Sequence, residues 1–198
     1  MAQTLRGGTG LQSLPVARAT GCVSVGRGRA SVVTKDAEQL AALASVIEAL
    51  TDRGIDYWLF GGWAVDFYAG KVTRPHDDVD LAVWLADHDH VAELLASGGW
   101  KHAPHPEEDG GTGYERGAVR LELTFLLRGD DGAVLIPLRA GRVPFSKEPF
   151  GDDVAELGGV RARVIPLDVL RSGKSHPRDD ASDAAKDRAD SETLSRVR

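Results

Sequence analysis

The segment Arg74–Val83, which reads RPHDDVDLAV, constrains the fold more than any other part of the chain. Its composition predicts a β-strand over residues 77–85. Side chains alternate between the two faces of a strand, so Asp78 and Asp80 share one face and the apolar residues share the other. Two carboxylates that point the same way repel each other unless a cation lies between them, and Mg²⁺ prefers oxygen ligands of this kind. The alternative is an acidic strand end that faces solvent.

A second predicted strand supplies a third carboxylate. The segment Val119–Leu127 alternates throughout, which puts its odd-numbered apolar residues on one face and Glu122 on the other. If the two strands are neighbours with both apolar faces against helices, Glu122 lies on the face that carries Asp78 and Asp80. Three clustered carboxylates can hold two metal ions about 3.5–4 Å apart, an arrangement used for in-line phosphoryl transfer.

A pair of glycines, Gly61-Gly62, separates a predicted strand from a predicted helix. Residues 55–60 (IDYWLF) are aromatic and β-branched and predict a buried strand, whereas residues 63–68 predict a short apolar helix. Glycine lets the backbone N–H groups at a helix start come close to an anion. The pair is therefore a candidate phosphate site, although a plain turn has the same sequence.

The remaining patterns predict an α+β fold with a mixed β-sheet. One helix is predicted to begin with a capping box at Asp36 and Gln39 and to end at Gly54, and a second is predicted to be capped by Asp87 and to run to Leu95. A polar loop is predicted over 102–117, followed by a hairpin of 119–127 with 133–138 and a hairpin around Gly158-Gly159. Two further helices are predicted over 166–172 and 180–194. Opposite charges at i,i+4 favour a solvated face for the last helix.

Charge is unevenly distributed along the 198 residues, whose net charge is −6. Residues 1–35 contain five basic residues and no acidic one, which predicts a disordered basic N-terminal extension; an organellar presequence or a natural start at Val32 or Val33 are the alternatives. Residues 36–198 then form the folded domain. The acidic excess of this domain disfavours nucleic acid and favours metal ions or cationic small molecules.

Two protein classes are excluded by composition. No apolar run approaches the roughly 20 residues that span a bilayer, which excludes an integral membrane protein and favours the cytoplasm. The single cysteine excludes an intrachain disulfide framework.

The run GGWAVDFYAGKVTRPHDDVDLAV over residues 61–83 resembles the signature of the nucleotidyltransferase superfamily, whose fold is shared with polymerase-β-type enzymes. Its variant of the motif is similar to that of lincosamide nucleotidyltransferases and aminoglycoside 2″-nucleotidyltransferases. The resemblance implies the nucleotidyltransferase fold over residues 36–198, with a mixed β-sheet flanked by helices and a short helical C-terminal tail.

The resemblance also implies roles for individual residues. Gly61-Gly62 match the glycines that contact nucleotide phosphates, and Asp78 and Asp80 match the metal-binding pair. Glu122 matches a third carboxylate that binds metal or acts as general base toward the acceptor hydroxyl. Many members have a serine after the glycines where this chain has Trp63, so that hydroxyl contact with phosphate is missing here.

Four further positions have two interpretations each. Arg74 and His76 either hold the loop before the metal-binding strand or contact the triphosphate. Lys174 matches a C-terminal lysine that contacts nucleotide phosphates in relatives, or it is a solvated lysine. Asp66 resembles a family position, or it satisfies nearby backbone groups or Arg74.

A short polar segment contains His102, His105, Glu107 and Glu108. The His-x-x-His spacing is short and no cysteine is present, so a loop near the acceptor site is favoured over a zinc site.

The sequence thus predicts a Mg²⁺-dependent nucleotidyltransferase, with two ions and ATP as nucleotide donor, that transfers AMP to a hydroxyl of a small molecule such as an aminoglycoside or a lincosamide. The alternatives are a toxin–antitoxin-type enzyme that modifies protein or RNA, and a nucleotide-binding relative without catalytic activity. A homodimer remains open, because few residues follow the last predicted strand to build the acceptor site.

Overall fold

The computed structural model describes residues 34–105, 109–175 and 180–197, and the predictions for residues 1–33 lie outside them. In chain order the elements are α1 Lys35–Asp52, β1 Tyr57–Phe60, α2 Gly61–Ala69, β2 Val79–Trp84, α3 His88–Ser97, β3 Lys101–His102, β4 Gly111–Arg116, β5 Val119–Arg128, β6 Val134–Leu138, β7 Gly141–Ser146, β8 Val154–Leu157, β9 Val160–Arg163, α4 Leu167–Ser175 and α5 Ala181–Leu194. The predicted α+β class is confirmed.

The main sheet is mixed, with strand order β1-β2-β5-β4-β3 and with β6 and β7 continuing from the end of β5. The strands β2 and β5 are parallel, and the other neighbours in this sheet are antiparallel. The parallel register puts Asp80 directly beside Glu122. The predicted pairing of the two carboxylate-bearing strands is therefore confirmed.

The apolar faces of β2 and β5 lie in the core. Val79, Leu81 and Leu121 are each at most 1% exposed. The alternation predicted for 119–127 holds only for the first part of β5, because Leu126 is buried while Phe125 and Leu127 are partly exposed. The pattern changes where the strand becomes the partner of β6.

Two helix starts differ from the predictions. The N-cap of α1 is Thr34, whose hydroxyl accepts a hydrogen bond from the Ala37 N–H at 3.3 Å, so the capping box predicted at Asp36 and Gln39 is wrong. Asp87 makes no side-chain capping bond, and a 3₁₀ turn over Leu85–Asp87 leads into α3.

Three strands were not predicted, namely β3, β4 and β7. The segment 102–117, predicted as a polar loop, contains β4, which pairs with β5. A Cβ at Gly111 would collide with the Leu123 carbonyl group, so this strand requires a glycine here. The same glycine made the segment look like a loop in the sequence. The strand β7 lies at an edge and contains Pro144, which the centre of a sheet does not tolerate.

The hairpin β8–β9 is attached to the main sheet by a parallel bridge between Leu59 and Val164. The helices α4 and α5 follow it. Asp180 caps α5, since its carboxylate accepts hydrogen bonds from the Ser182 and Asp183 N–H groups. None of the helices in the described ranges is long and apolar enough to cross a membrane.

Candidate active site

One cavity of about 380 Å³ brings all the predicted site residues together. It lies between the start of α2, the loop before β2, the exposed face of β5 and the helices α4 and α5. The predicted residues that line it are Gly61, Gly62, Arg74, His76, Asp78, Asp80, Glu122 and Lys174. Residues that are far apart in sequence therefore meet at one place.

The two glycines allow α2 to begin against charged side chains. Gly61 has a φ of +66°, and a Cβ there would overlap the Asp80 carboxylate. A Cβ at Gly62 would lie 2.5 Å from Arg74 Nη2 and 2.6 Å from His76 Nδ1. The N-cap, Phe60, has no side-chain oxygen for the first N–H groups of the helix. The helix start therefore presents backbone donors to the cavity, as an anion site requires.

Of the three predicted metal ligands, Asp80 and Glu122 lie on the neighbouring strands β2 and β5, and Asp78 directly precedes β2. Burial raises the pKa of Asp78, and the nearby charges of Glu122 and Asp77 raise it further. Glu122 accepts a hydrogen bond from Arg120 Nε at 2.8 Å. Within the described residues, no three His, Cys, Asp or Glu side chains converge closely enough to complete a metal site. The oxygen donors suit Mg²⁺, and in this structure the Glu122 carboxylate is paired with Arg120.

The charge of the cavity lining also suits a cation. Among the described residues that line it, six are acidic and three are lysine or arginine. A nucleoside triphosphate is itself strongly anionic, so this lining would repel it in the absence of compensating cations.

Arg74 is held by the C-terminal helix. Its Nε and Nη2 donate to the two carboxylate oxygens of Asp190, each at 2.9 Å, and its Nη1 donates to the Pro75 carbonyl at 3.1 Å and lies 3.2 Å from His76 Nδ1. The hydrogen bond with Asp190 raises the pKa of Arg74. Burial would raise the pKa of Asp190, but hydrogen bonds from Arg74 and Lys174 outweigh it and lower this pKa.

His76 is buried beneath the site, 2% exposed. Its Nε2 is hydrogen-bonded to Asp66, and its ring packs on Trp63 with 4.7 Å between ring centroids. Asp66 also accepts a hydrogen bond from the Thr73 N–H at 3.0 Å. Asp66 thus satisfies a backbone N–H group, as one interpretation had it, but the side chain that pairs with it is His76 rather than Arg74. This geometry fits the loop-holding interpretation of His76.

Lys174 is also part of this network. Its Nζ lies 2.9 Å from Asp190 Oδ2 and 3.1 Å from Asp187 Oδ1, and its side chain is 8% exposed. The interpretation of Lys174 as a solvated lysine is therefore wrong. The solvated face predicted for the last helix is also wrong, because Asp187 is 4% and Asp190 1% exposed.

Sequence reasoning missed Asp187 and Asp190 as site residues. A signal was present, since residues 187, 190 and 194 lie on one face of a helix, and Leu194 is 1% exposed.

The segment with His102 and His105 does not form a zinc site among the described residues. His102 Nε2 lies 2.7 Å from Thr112 Oγ1 instead. Glu107 and Glu108 lie outside the described residues.

The profile of one protein family, aminoglycoside-2″-adenylyltransferase, matches residues 42–169. A 2″-aminoglycoside nucleotidyltransferase from Escherichia coli is 41% identical to this chain over 46 residues, which are 23% of this chain and 26% of that protein. The chain thus matches about a quarter of that curated relative's length.

Two solved structures have the same fold. The lincosamide antibiotic adenylyltransferase LnuA with bound lincomycin superposes with a TM-score of 0.63 at 20% identity and covers 84% of this chain and 99% of that one. ANT(2″)-Ia in complex with adenylyl-2″-tobramycin has a TM-score of 0.58 at 18% identity and covers 79% of this chain and 90% of that one. The fold expected from the sequence, the nucleotidyltransferase fold, is therefore confirmed.

Proposed function

Because this chain belongs to the aminoglycoside-2″-adenylyltransferase family, we propose that it transfers AMP from ATP to a hydroxyl group of an aminoglycoside antibiotic. The observation that carries the proposal is the single cavity in which a glycine helix start, an Asp-x-Asp pair and a third carboxylate meet. Phosphate binding and metal binding need these two kinds of group side by side.

Asp78, Asp80 and Glu122 are the residues that would hold Mg²⁺, with two ions as the proposed number. Bound Mg²⁺ would neutralise phosphate charge and stabilise the charge that develops during transfer. The backbone N–H groups at the start of α2 would bind the phosphates and orient the α-phosphorus. Arg74, next to Gly62 at the start of α2, and Lys174 would add positive charge near the phosphates.

The transfer would proceed in line. The acceptor oxygen forms a bond to the α-phosphorus of ATP, and the bond from that phosphorus to the oxygen shared with the β-phosphorus breaks, which releases pyrophosphate. Glu122 would orient the acceptor hydroxyl or take its proton, since it lies beside Asp80 at the cavity wall. Positioning and electrostatics would supply most of the rate enhancement.

The acidic lining of the cavity favours a cationic acceptor. An aminoglycoside is cationic, whereas RNA is anionic. ANT(2″)-Ia is described with adenylyl-2″-tobramycin and LnuA with lincomycin, so these two drugs are the natural probes. We place the reaction in the cytoplasm, where ATP is available.

The test is to incubate the purified protein with ATP, Mg²⁺ and either tobramycin or lincomycin, and to analyse the drug by mass spectrometry. We expect tobramycin to gain the mass of one AMP unit. The matched control is Asp80→Asn, which keeps the shape of the side chain and removes its charge. If neither drug is modified while the protein binds MgATP, the proposed acceptor is wrong.

A further inference from the structure

The C-terminal helix α5 supplies a buried carboxylate to both cations on the phosphate side of the cavity. Asp190, 1% exposed, pairs with Arg74 and with Lys174. We propose that Asp190 is a positioning residue that fixes Arg74 and Lys174 at the cavity wall and so sets the affinity for MgATP. The inference rests on the proposed function in that it takes the cavity to bind a nucleoside triphosphate.

The guanidinium of Arg74 is held in a fixed orientation. An arginine has five N–H donors, and three of those of Arg74 donate to Asp190 and Pro75, while Nη1 also lies 3.2 Å from His76 Nδ1. The second donor on Nη2 is not used by these contacts, and Nη2 is the atom closest to the place where a Cβ of Gly62 would be. Arg74 therefore contributes a fixed positive charge next to the start of α2, where phosphate is expected.

Lys174 comes from α4 and is only 8% exposed at its side chain. Asp190 Oδ2 accepts from Lys174 at 2.9 Å and from Arg74 Nη2 at 2.9 Å, so one carboxylate oxygen serves both cations. Asp187 lies three residues earlier on α5, and its Oδ1 is 3.1 Å from Lys174 Nζ. Of the two carboxylates, Asp190 is the one that also pairs with Arg74. Asp190 is thus the group that joins the two cations.

Two like charges at this burial need a shared counterion. Without Asp190, Arg74 and Lys174 would repel each other and would each lose a charge-assisted hydrogen bond. We expect them to rotate away from the positions that face the cavity, because both side chains have several free torsions. The positive charge near the start of α2 would then no longer be fixed.

Whether Asp190→Asn weakens or tightens MgATP binding distinguishes a positioning role from a purely electrostatic one. Removal of a negative charge near the cavity should, by itself, tighten the binding of an anionic triphosphate. Loss of positioning should weaken it. The two explanations therefore predict opposite changes.

The experiment measures the dissociation constant of MgATP for the full chain by calorimetry, without acceptor. We expect Asp190→Asn to weaken binding by about tenfold or more and to raise KM for ATP while kcat changes less. Asp190→Glu should restore part of the affinity. The matched control on the same helix is Glu192→Gln, whose side chain is 67% exposed and pairs with Arg196 only four residues away; it should leave binding unchanged.

A second variant keeps the proposal testable if Asp190→Asn does not fold, as judged by circular dichroism. Arg74→Lys keeps the charge but cannot bind Asp190 through two parallel hydrogen bonds, so it should also weaken MgATP binding. Unchanged or tighter binding in the folded variants would overturn the proposal. If wild type binds MgATP and Asp190→Asn weakens that binding, but no drug is adenylylated, only the proposed function fails. If a drug is adenylylated and Asp190→Asn binds MgATP as tightly as wild type, only this inference fails.

Discussion

At the scale of single residues, Asp78 is a proposed metal ligand whose ionised form carries a cost to stability. Its pKa is raised because burial and the charges of Glu122 and Asp77 disfavour the ionised form. We therefore expect Asp78→Asn to lower the rate of AMP transfer by roughly a hundredfold or more, and to melt at the same or a higher temperature than wild type when EDTA removes metal. A variant with near-normal turnover would contradict the role of Asp78 as a metal ligand.

The pH dependence of stability checks the same point. A carboxyl group whose pKa is raised by folding destabilises the fold at neutral pH, and this penalty is relieved as pH falls through the raised pKa toward the ordinary value of 3.8. In EDTA, the advantage of Asp78→Asn should hence shrink on acidification. The ionisation of Asp190 has the opposite effect on stability, because its pKa is lowered in the folded protein. It stabilises the fold at pH values above the ordinary pKa of an aspartate, and this contribution is lost as pH falls through the lowered pKa.

Gly62 is the second residue for which the structure makes a sharp prediction. A Cβ at this position would lie 2.5 Å from Arg74 Nη2 and 2.6 Å from His76 Nδ1, and the buried imidazole has little room to move. We expect Gly62→Ala to raise KM for ATP by roughly tenfold to a hundredfold through displacement of these groups. Gly151→Ala is the matched control, since nothing lies within 4 Å of its added Cβ. Equal KM values for the two variants would show that Gly62 is only a turn residue.

At the scale of secondary-structure elements, the sequence predicted the parts of the site that depend on local pattern. The alternation in β2 and β5 placed Asp80 and Glu122 on one face, and the parallel register confirms it. The partner of Asp190 could not be found in this way, because Arg74 lies 116 residues earlier in the sequence. The strand β4 was missed because Gly111 looks like a turn residue in the sequence, whereas it is required by the backbone of β5 beside it.

The packing of α5 is therefore a tertiary property, and Leu194 is the residue that tests it. This side chain is 1% exposed at the end of the helix, so its truncation leaves a cavity. We expect Leu194→Ala to lower the free energy of unfolding by about 3 kcal/mol, measured by urea denaturation, and to weaken MgATP binding as α5 loosens. Glu192→Ala, on the exposed side of α5, should change stability by only a few tenths of a kcal/mol. A Leu194→Ala variant as stable as wild type would show that α5 is not anchored by this contact.

At the scale of the whole molecule, the charge balance of the cavity bears on how the proposed nucleotide would bind. The described lining of the cavity has six acidic residues and three lysine or arginine residues, and Arg74 and Lys174 are already paired with α5 carboxylates. The chain by itself therefore offers little net attraction to a triphosphate, despite the donors at the start of α2. On the proposed function, divalent cations would provide the missing positive charge.

This balance predicts that nucleotide and metal bind together. We expect ATP to raise the melting temperature of the protein only when Mg²⁺ is present, and Mg²⁺ alone to raise it less than the two together, because the metal relieves repulsion among the carboxylates and also bridges to the phosphates. Asp80→Asn should abolish this synergy, whereas Glu192→Gln should preserve it. If ATP raised the melting temperature to the same extent in EDTA, the lysine and arginine side chains of the protein would be sufficient to bind the nucleotide. The acidic residues of the cavity would then serve to bind the acceptor rather than the metal.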